Sequence, residues 1–491
     1  MGDIRSFAVL VVLTAAVGLV AVLSSRLTRW LRIPSPALVL IGAAIAVQFI
    51  PGLHAPPQKT TERVVTIALA CILFNGGMDI GWRRFRAAAG PITTTGVLGT
   101  FATVAATAAL AHGLLGVPWY LAVLVGTAVA PTDPAMVFSV LGQREVSGRS
   151  GTILEGESGA NDPVGISLMT TVLAAGSLTW GAVAHASSEF VLQLVIGAAV
   201  GIAGGRVLLW SARRVPLPSE GLYPLRTLFF ALLLYGLATL ARGSGFLAVF
   251  AAGIVLGDAR APFKREIERF HSAVASLAEI VAFAFLGLTV SLPVLGRADV
   301  WIPGLVIGVV LALVIRPVLV GLCLVPARLS RRERAFVLFA GLKGAVPVLL
   351  GSFLLTAGVA GAQRLYGVVV VVVVFSVVVQ GSLVPVAARL LRIRMRPVEP
   401  QPWALGVRLL DEPDGVHQLT VRAGSPADGV TVGDLSAALP VEAWVSFVVR
   451  DGQLVPVRED AVLRAGDDVL VLADSEHHGR LVAAFGRQAG R

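Results

Sequence analysis

Two neighbouring apolar segments carry carboxylates where a membrane-spanning helix normally carries none. The first, residues 127–137, reads T-A-V-A-P-T-D-P-A-M-V, so that Pro131 and Pro134 bracket Thr132 and Asp133. Each proline removes a backbone donor and breaks a helix, and broken backbone at membrane depth is tolerated only where it lines a cavity or is buried in protein. Free carbonyls and half-helix ends beside a carboxylate can coordinate small cations. The segment therefore predicts a cation site, the alternative being a simple proline kink near a helix end.

The second segment, residues 154–167, reads L-E-G-E-S-G-A-N-D-P-V-G-I-S. Glu157 and Asn161 are four residues apart and share one helix face, with Ser158 and Asp162 beside them. Three carboxylates within eight residues would repel one another if all were ionised and unpaired, so at least one needs a cation or a proton. A cytoplasmic loop is the alternative, and it is disfavoured because Asp162 lies a turn or more inside the apolar segment.

Two basic residues lie within later apolar segments. Arg316 stays charged when buried and requires a carboxylate, for which Glu157 is the predicted partner; snorkelling of the side chain to the surface is the alternative. Lys343 lies in G-L-K-G-A-V-P, residues 341–347, a second helix interrupted by glycine and proline. It is predicted to compensate either half-helix C-termini or a nearby acid.

The sequence gives weaker evidence for the roles of two further ionisable residues, Glu279 and His271. Glu279 lies about two turns into an apolar segment and is either near the ion pathway or paired elsewhere. His271 is predicted to lie in a cytoplasmic loop, where it either senses pH or, as is usual for a single loop histidine, is simply solvated.

The composition sets the frame for these residues. Of 491 residues, 56% are hydrophobic and 14% are charged, and the mean hydropathy is +0.82, whereas soluble domains are about 25% charged. A set of soluble domains and intrinsic disorder are both excluded for most of the chain. At about 20 residues per span, the apolar segments predict thirteen membrane-spanning helices, at approximately 6–25, 34–50, 63–81, 90–113, 118–141, 151–176, 189–211, 226–241, 243–258, 272–292, 301–325, 335–358 and 365–388.

The distribution of basic residues orients these spans. Of the lysines and arginines, 24 lie in or beside loops that follow odd-numbered spans, and six lie in the N-terminus and the remaining loops. Because cytoplasmic loops carry the excess of basic residues, the N-terminus is predicted outside and the C-terminal region in the cytoplasm. The net charge of +10 is thus an orientation signal and not a basic face for nucleic acid.

The interrupted spans, the fifth and the twelfth, lie seven spans apart. Interrupted helices at corresponding positions of two halves indicate an inverted-repeat transporter, with spans 1–6 and 8–13 as the repeats. The predicted fold class is an all-α polytopic membrane protein of about 13 helices, residues 1–396, followed by a small α+β cytoplasmic domain, residues 405–491. In the latter, Val445–Val449 alternates and leads into the turn signal Asp451–Gly452, and no G-x-G-x-x-G is present.

Four motifs in order resemble those of the NhaP-type cation/proton antiporters. They are P-T-D-P in span 5, E-x-E-S-x-x-N-D-P in span 6, F-L-G-L at Phe285–Leu288 and G-L-K-G-A-V-P in span 12. The C-terminal region, with S-P-A-D-G-V-T-V-G-D-L at Ser425–Leu435 and R-A-G-D-D-V-L-V-L at Arg464–Leu472, resembles a TrkA-C regulatory domain. That pairing is similar to bacterial potassium/proton antiporters.

The resemblance implies a role for each matching residue. Asp162 would bind the cation and the proton in competition, and Asp133, Thr132 and Ser158 would complete the ion site. Asn161 stands where electrogenic relatives carry a second aspartate. Glu157 and Arg316 would form a buried structural ion pair, and the protein would be a homodimer.

Two positions depart from the family pattern. The family often has arginine where this chain has Lys343, which keeps charge compensation but weakens any bidentate pairing. Asn75 stands where some relatives carry an acid that influences the site.

The expected function is electroneutral exchange of a monovalent cation, preferably K⁺ with Na⁺ as a possibility, for protons by alternating access. No P-loop motif appears, which argues against an ATP-driven pump; no cofactor is expected, apart from a cytoplasmic ligand such as a nucleotide at the C-terminal domain. One alternative is an intramembrane aspartyl protease using Asp133 and Asp162, although no G-x-G-D occurs and V-L-G-D at Val255–Asp258 comes nearest. A cation channel, which would conduct without proton counterflow, is another.

Overall fold

The computed structural model describes residues 18–19, 34–50, 55–141, 144–146, 148–327, 329–397, 415–438, 443–450, 453–474 and 478–485. The chain divides into two compact units, Met1–Val398 and Glu399–Arg491. Most of the first predicted span and the predicted turn Asp451–Gly452 lie outside the described residues.

The first unit is built almost entirely of helices. The long helices are α1 (Ser35–Phe49), α2 (Gln58–Thr93), α3 (Thr100–Leu115), α4 (Trp119–Val129), α5 (Pro134–Leu141), α6 (Arg149–Ala175), α7 (Trp180–Arg214), α8 (Leu222–Leu240), α9 (Gly245–Gly257) and α10 (Lys264–Leu288). Beyond these lie α11 (Leu292–Leu295), α12 (Ala298–Val310), α13 (Gly321–Cys323), α14 (Arg331–Phe339), α15 (Ala345–Thr356), α16 (Ala362–Val374) and α17 (Gly381–Leu390). Three π-helical stretches, Thr94–Gly99, Leu311–Val320 and Phe375–Gln380, each continue a neighbouring helix.

Within the described residues, seven helical segments are long and apolar enough to cross a membrane, and three shorter apolar helices accompany them. This confirms a multi-pass helical membrane unit. The number of thirteen spans stays a prediction.

The predicted end of span 3 at residue 81 coincides with a kink, but the loop predicted between spans 3 and 4, residues 82–89, is helical. Helix α2 runs through it and is interrupted at one residue, Gly81, whose φ is +64°. The carboxylate of Asp258 accepts a hydrogen bond from the Arg83 backbone N–H immediately after this kink, and a side chain at Gly81 would overlap that carboxylate. A single left-handed glycine therefore turns the chain without a loop.

The two predicted helix interruptions are present. Helix α4 ends at Val129 and α5 begins at Pro134, while α14 ends at Phe339 and α15 begins at Ala345. Between them the backbone leaves the helical hydrogen-bond pattern, as expected for segments containing Pro131 and Gly341. The second interruption does not fall at its proline: Pro347 sits in the first turn of α15, where a missing N–H costs nothing.

A short antiparallel ribbon joins distant parts of the first unit. Strand β1 (Arg144–Val146) lies in the connection from α5 to α6, and strand β2 (Met395–Pro397) follows α17 at the end of the unit. Their register pairs Glu145 with Arg396 and Val146 with Met395. The chain that leads towards the second unit is thus hydrogen-bonded to the loop between the two segments that carry Asp133 and Asp162.

The second unit contains a four-stranded antiparallel sheet. Its strands are β3 (Val416–Thr420), β4 (Trp444–Arg450), β5 (Gln453–Val455) and β6 (Asp468–Leu472), arranged in the order β3-β6-β4-β5. Helices α18 (Val432–Ala438) and α19 (His478–Phe485) complete a small α+β fold, which confirms the predicted class. Its buried core includes Leu419, Val445, Val448, Val469, Val471, Leu481 and Phe485.

A buried carboxylate ties two parts of this second unit together. Asp467 is 1% exposed and accepts hydrogen bonds from Arg450 Nε at 2.8 Å and Nη2 at 2.7 Å, and from the Arg464 N–H at 2.8 Å. Burial by itself would raise the pKa of Asp467, but these donors outweigh it and hold the pKa below its ordinary value. The carboxylate therefore stays ionised and pins β4 to the turn before β6.

Candidate ion-binding site

The two helix interruptions contact each other directly. The Asp133 N–H donates to the Leu342 carbonyl at 2.8 Å. In the opposite direction, Lys343 Nζ donates to the Ala130 carbonyl at 2.8 Å. Each interruption therefore satisfies backbone groups that the other leaves without helical partners.

The Asp133 carboxylate lies at the N-termini of two half-helices. Its Oδ1 accepts from the Ala135 N–H at 2.9 Å, and the backbone N–H groups of Met136 and Ala345 also interact electrostatically with the carboxylate. These groups begin α5 and α15, whose N-terminal ends carry partial positive charge and favour an anion. Gly344 allows this approach, because a β-carbon there would overlap the Asp133 side chain.

Lys343 lies at the complementary end of α4. Its side chain is 3% exposed, and its bond to Ala130 places the ammonium group at the C-terminal end of that half-helix, where the partial charge is negative. Of the two sequence-based options for Lys343, the hydrogen bond goes to the half-helix end. The charge of Lys343 also interacts electrostatically with Asp162.

Helix α6 holds the first interruption in place through three polar contacts. Ser158 Oγ donates to the Thr132 carbonyl at 2.6 Å. Asn161 Nδ2 donates to Thr132 Oγ1 at 2.8 Å, and its Oδ1 accepts from the Thr132 N–H at 3.4 Å. Ser158 and Asn161 therefore position Thr132, whose hydroxyl oxygen keeps one lone pair for a further partner.

Asp162 lies one residue further along the same helix, in the middle of α6. It is 7% exposed, and among the residues that the structure describes its Oδ1 is buried with no hydrogen-bond partner. The negative charge of Asp133 acts on it as well as the positive charge of Lys343. An ionisable oxygen left without a partner at this depth is costly unless it serves to bind something.

Glu157 and Arg316 form a buried bidentate pair. Arg316 Nη1 donates to Oε1 at 2.7 Å and Nη2 donates to Oε2 at 3.1 Å, while the two side chains are 2% and 6% exposed. Arg316 Nε also donates to the Leu338 carbonyl at 2.9 Å, near the C-terminus of α14. The guanidinium group therefore joins α6 to the C-terminal end of α14, the half-helix that precedes the second interruption.

Two residues of the site's surroundings were missed in the sequence. Ser376 and Gln380 lie in the π-helical stretch Phe375–Gln380, which joins α16 and α17 into the last long helix of the first unit. Both side chains contact the second interruption. The signal was present: they are polar residues four positions apart in the otherwise apolar run V-V-V-V-V-V-V-F-S-V-V-V-Q-G.

Two further polar residues considered in the sequence, Glu279 and Asn75, have the following surroundings. The negative charge of Asp133 acts on Glu279, whose Oε1 is buried without a hydrogen-bond partner among the described residues. Asn75 donates to Asp79 at 2.8 Å.

The prediction of a solvated loop for His271 is wrong. Helix α10 begins at Lys264, two turns earlier than expected, and carries His271 on its inner face at 1% exposure. The ring contacts Phe74, and its Nε2 lies 2.6 Å from Thr227 Oγ1. A short polar stretch, Lys264–Glu268, had hidden the start of the helix in the sequence.

The structure shows a multi-pass helical protein in which two interrupted helices contact each other beside Asp162, whose Oδ1 has no hydrogen-bond partner among the described residues. This is the architecture of a secondary transporter. The chain belongs to the sodium/hydrogen exchanger family, whose transmembrane pattern matches residues 12–390, and a TrkA-C domain pattern matches residues 416–486. These matches confirm the resemblance drawn from the motifs.

Related proteins resemble the chain over most of its length. It is 33% identical over 453 residues to the K⁺/H⁺ antiporter NhaP of Alkalimonas amylolytica, covering 90% of this chain and 77% of the relative. It is 32% identical over 481 residues to the K⁺/H⁺ antiporter NhaP2 of Shewanella oneidensis, covering 96% and 82%. The Na⁺/H⁺ antiporter NhaH of Halobacillus aidingensis is 26% identical over 379 residues, covering 72% and 91%.

A solved structure shares the fold. The sodium proton antiporter MjNhaP1 from Methanocaldococcus jannaschii superposes with a TM-score of 0.65 at 22% identity, over 78% of this chain and 99% of that one.

Proposed function

We propose that the protein exchanges a cytoplasmic monovalent cation for protons, with Asp162 as the group that binds each in turn. The observation that carries the proposal is the buried Asp162 oxygen, which has no hydrogen-bond partner among the described residues and lies beside two interlocked half-helix breaks. A hard cation needs oxygen ligands, and the carboxylates of Asp162 and Asp133 with the hydroxyls of Thr132 and Ser158 supply them.

Competition for one carboxylate is sufficient to couple the two fluxes. The cation binds the ionised form of Asp162, and a proton displaces it by removing the charge. Movement of the site between the two sides of the membrane then exchanges one for the other without ATP. Because Asn161 is neutral and bonded to Thr132, a single carboxylate changes its ligand in each cycle, and the exchange is expected to be one-for-one and electroneutral.

Potassium is the preferred cation in this proposal. Its support is the naming of the relatives from Alkalimonas and Shewanella as K⁺/H⁺ antiporters, together with the TrkA-C match. Sodium uses the same oxygen ligands, and the relative from Halobacillus is named a Na⁺/H⁺ antiporter.

Cation-driven proton flux in everted vesicles, measured with KCl and NaCl across pH, tests this function. We expect K⁺ to dissipate an imposed pH gradient more effectively than Na⁺, without generating a membrane potential. Because proton and cation compete, raising the K⁺ concentration should move the half-maximal rate to lower pH. Voltage-driven cation current without proton movement would instead establish a channel.

The proposed orientation places the C-terminal unit in the cytoplasm and the N-terminus outside, in a bacterial inner membrane. Its support is the excess of arginine in or beside alternate loops, such as Arg331 and Arg332 at the start of α14 and Arg389 at the end of α17. We further propose a homodimer, on the family resemblance.

The TrkA-C unit is proposed to regulate the exchange, by binding a cytoplasmic ligand such as a nucleotide. The ribbon of β1 and β2 supports this role. Strand β2 immediately precedes the second unit, and its partner β1 connects the helical segments of Asp133 and Asp162. A change in tension on β2 would therefore act directly on the loop between those segments.

Two truncations distinguish the effect of removing the second unit from the effect of also removing strand β2. Ending the chain after Val398 removes the second unit and keeps β2, and we expect basal exchange to persist while its dependence on pH and on added nucleotides changes. Ending it after Arg394 removes β2 as well, and a further change in rate is expected because β1 loses its partner. Vesicle exchange rates provide the measurement. Identical pH and nucleotide responses in the full chain and the first truncation would refute a regulatory role.

A further inference from the structure

The second helix interruption is bridged by two side chains from the last long helix. Gln380 Nε2 donates to the Phe339 carbonyl, the last of α14, at 2.6 Å. Ser376 Oγ donates to Gln380 Oε1 at 3.0 Å and accepts from the Lys343 N–H at 3.0 Å. A chain of hydrogen bonds thus connects the last carbonyl of α14 to the Lys343 N–H within the interruption.

These side chains replace bonds that the missing helical turn would have made. A helix end leaves carbonyls without partners at one terminus and N–H groups at the other. Ser376 and Gln380 are 2% and 4% exposed, so water has little access to take over either role. The cavity that they line together with Lys343 and Arg316 measures only about 10 Å³, room for a single water at most.

The backbone held in this way is the one that reaches the ion site. Leu342 supplies the carbonyl that accepts from Asp133, and Lys343 supplies the ammonium group that bonds to Ala130. The backbone N–H of Ala345, the first residue of α15, interacts electrostatically with the Asp133 carboxylate. A shift of the segment between α14 and α15 would therefore move the groups that set the position of Asp133.

We propose that Ser376 and Gln380 are positioning residues for cation exchange, which hold the second interruption so that Lys343 and Leu342 meet the first. The inference rests on the proposed antiport function and assigns this role to residues outside the recognised motifs. Their location in a π-helical stretch fits it, because such stretches recur at functional sites in helices.

The test uses two substitutions of nearly equal shape in the full-length protein. Ser376→Thr keeps the hydroxyl and adds one methyl group. Ser376→Val adds the same methyl group, replaces the hydroxyl with a second one and leaves no space for a water. We expect Ser376→Val to raise the KM for K⁺ roughly tenfold, since a buried donor loses its partner, and to shift the pH profile. Ser376→Thr should stay near the wild type. Ser382→Val on the same helix is the control, because the Ser382 hydroxyl bonds within its own helix to Val379.

Gln380→Met provides a second route if Ser376→Val does not reach the membrane. It should raise KM in the same direction, because both hydrogen bonds of Gln380 are lost. A wild-type KM and pH profile in Ser376→Val or in Gln380→Met would overturn the inference, as would an equal defect in Ser376→Thr. Absence of exchange in the wild type would instead count against the proposed function.

Discussion

We expect Asp162→Asn to abolish cation-driven proton exchange while the protein still accumulates folded in the membrane. The substitution keeps the shape of the side chain and removes the charge for which the proton and the cation compete. An amide neither takes up a proton near neutral pH nor supplies a negatively charged ligand. Everted-vesicle assays with KCl and NaCl should therefore show background rates at every pH.

The folded state should tolerate this change because of how Asp162 is placed. Among the described residues its Oδ1 makes no hydrogen bond that the amide would break, and a neutral group is cheaper to bury at membrane depth than a charged one. The melting temperature in detergent is thus expected to equal or exceed that of the wild type.

Asp299→Asn is the matched control for Asp162→Asn. Asp299 is 40% exposed and pairs with Arg297 and Arg364, and exposed ion pairs of this kind contribute little. Its exchange rate should be close to that of the wild type. Full cation-driven proton flux in Asp162→Asn would refute the assignment of Asp162 as the carboxylate that binds the cation and the proton in turn.

Glu157→Gln is expected to have the largest effect on stability. It leaves the guanidinium group of Arg316 buried opposite a neutral amide, and breaking one partner of a buried pair costs about 3–5 kcal/mol. We expect a large fall in the yield of folded protein and in its melting temperature. Arg316→Lys should also be destabilising, because an ammonium group cannot reproduce the two parallel bonds to Glu157 and the bond to Leu338.

A more exposed ion pair, between Glu155 of α6 and Arg84 of α2, provides the comparison. Glu155 accepts from Arg84 at 3.0 Å, with side-chain exposures of 25% and 46%. Glu155→Gln should cost at most about 1 kcal/mol, since solvent screens the pair. If the thermal stability of Glu157→Gln matched that of Glu155→Gln, the buried pair would have no structural role.

A double substitution distinguishes the contribution of the ion pair from that of the other contacts that its two residues make. Glu157→Leu combined with Arg316→Met removes both charges and should be less damaging than either single change, since no charge is left unpaired. It should not restore full stability, because the Leu338 carbonyl loses the donor that Arg316 provides. A double variant worse than the sum of the two single variants would contradict this reading.

Several parts of the site were predictable because their causes are local. Pro131 and Pro134 interrupt a helix wherever they occur within one, so the first break could be placed from the sequence. Arg316 in an apolar span demanded a carboxylate, and the structure brings Glu157 to it. The start of α10 was misjudged because charged residues at a helix end resemble a loop, and this error led to the wrong placement of His271.

The sequence by itself determined that the chain is a multi-pass helical membrane protein with two interrupted helices and an acidic motif, because apolar length, helix breakers and buried charge act over short distances. The tertiary structure decided which atoms meet. Lys343 bonds to the carbonyl of Ala130, 213 residues away, and Ser376 and Gln380 bridge the second interruption from another helix. Such contacts depend on how helices far apart in the chain pack together, and no local pattern encodes that packing.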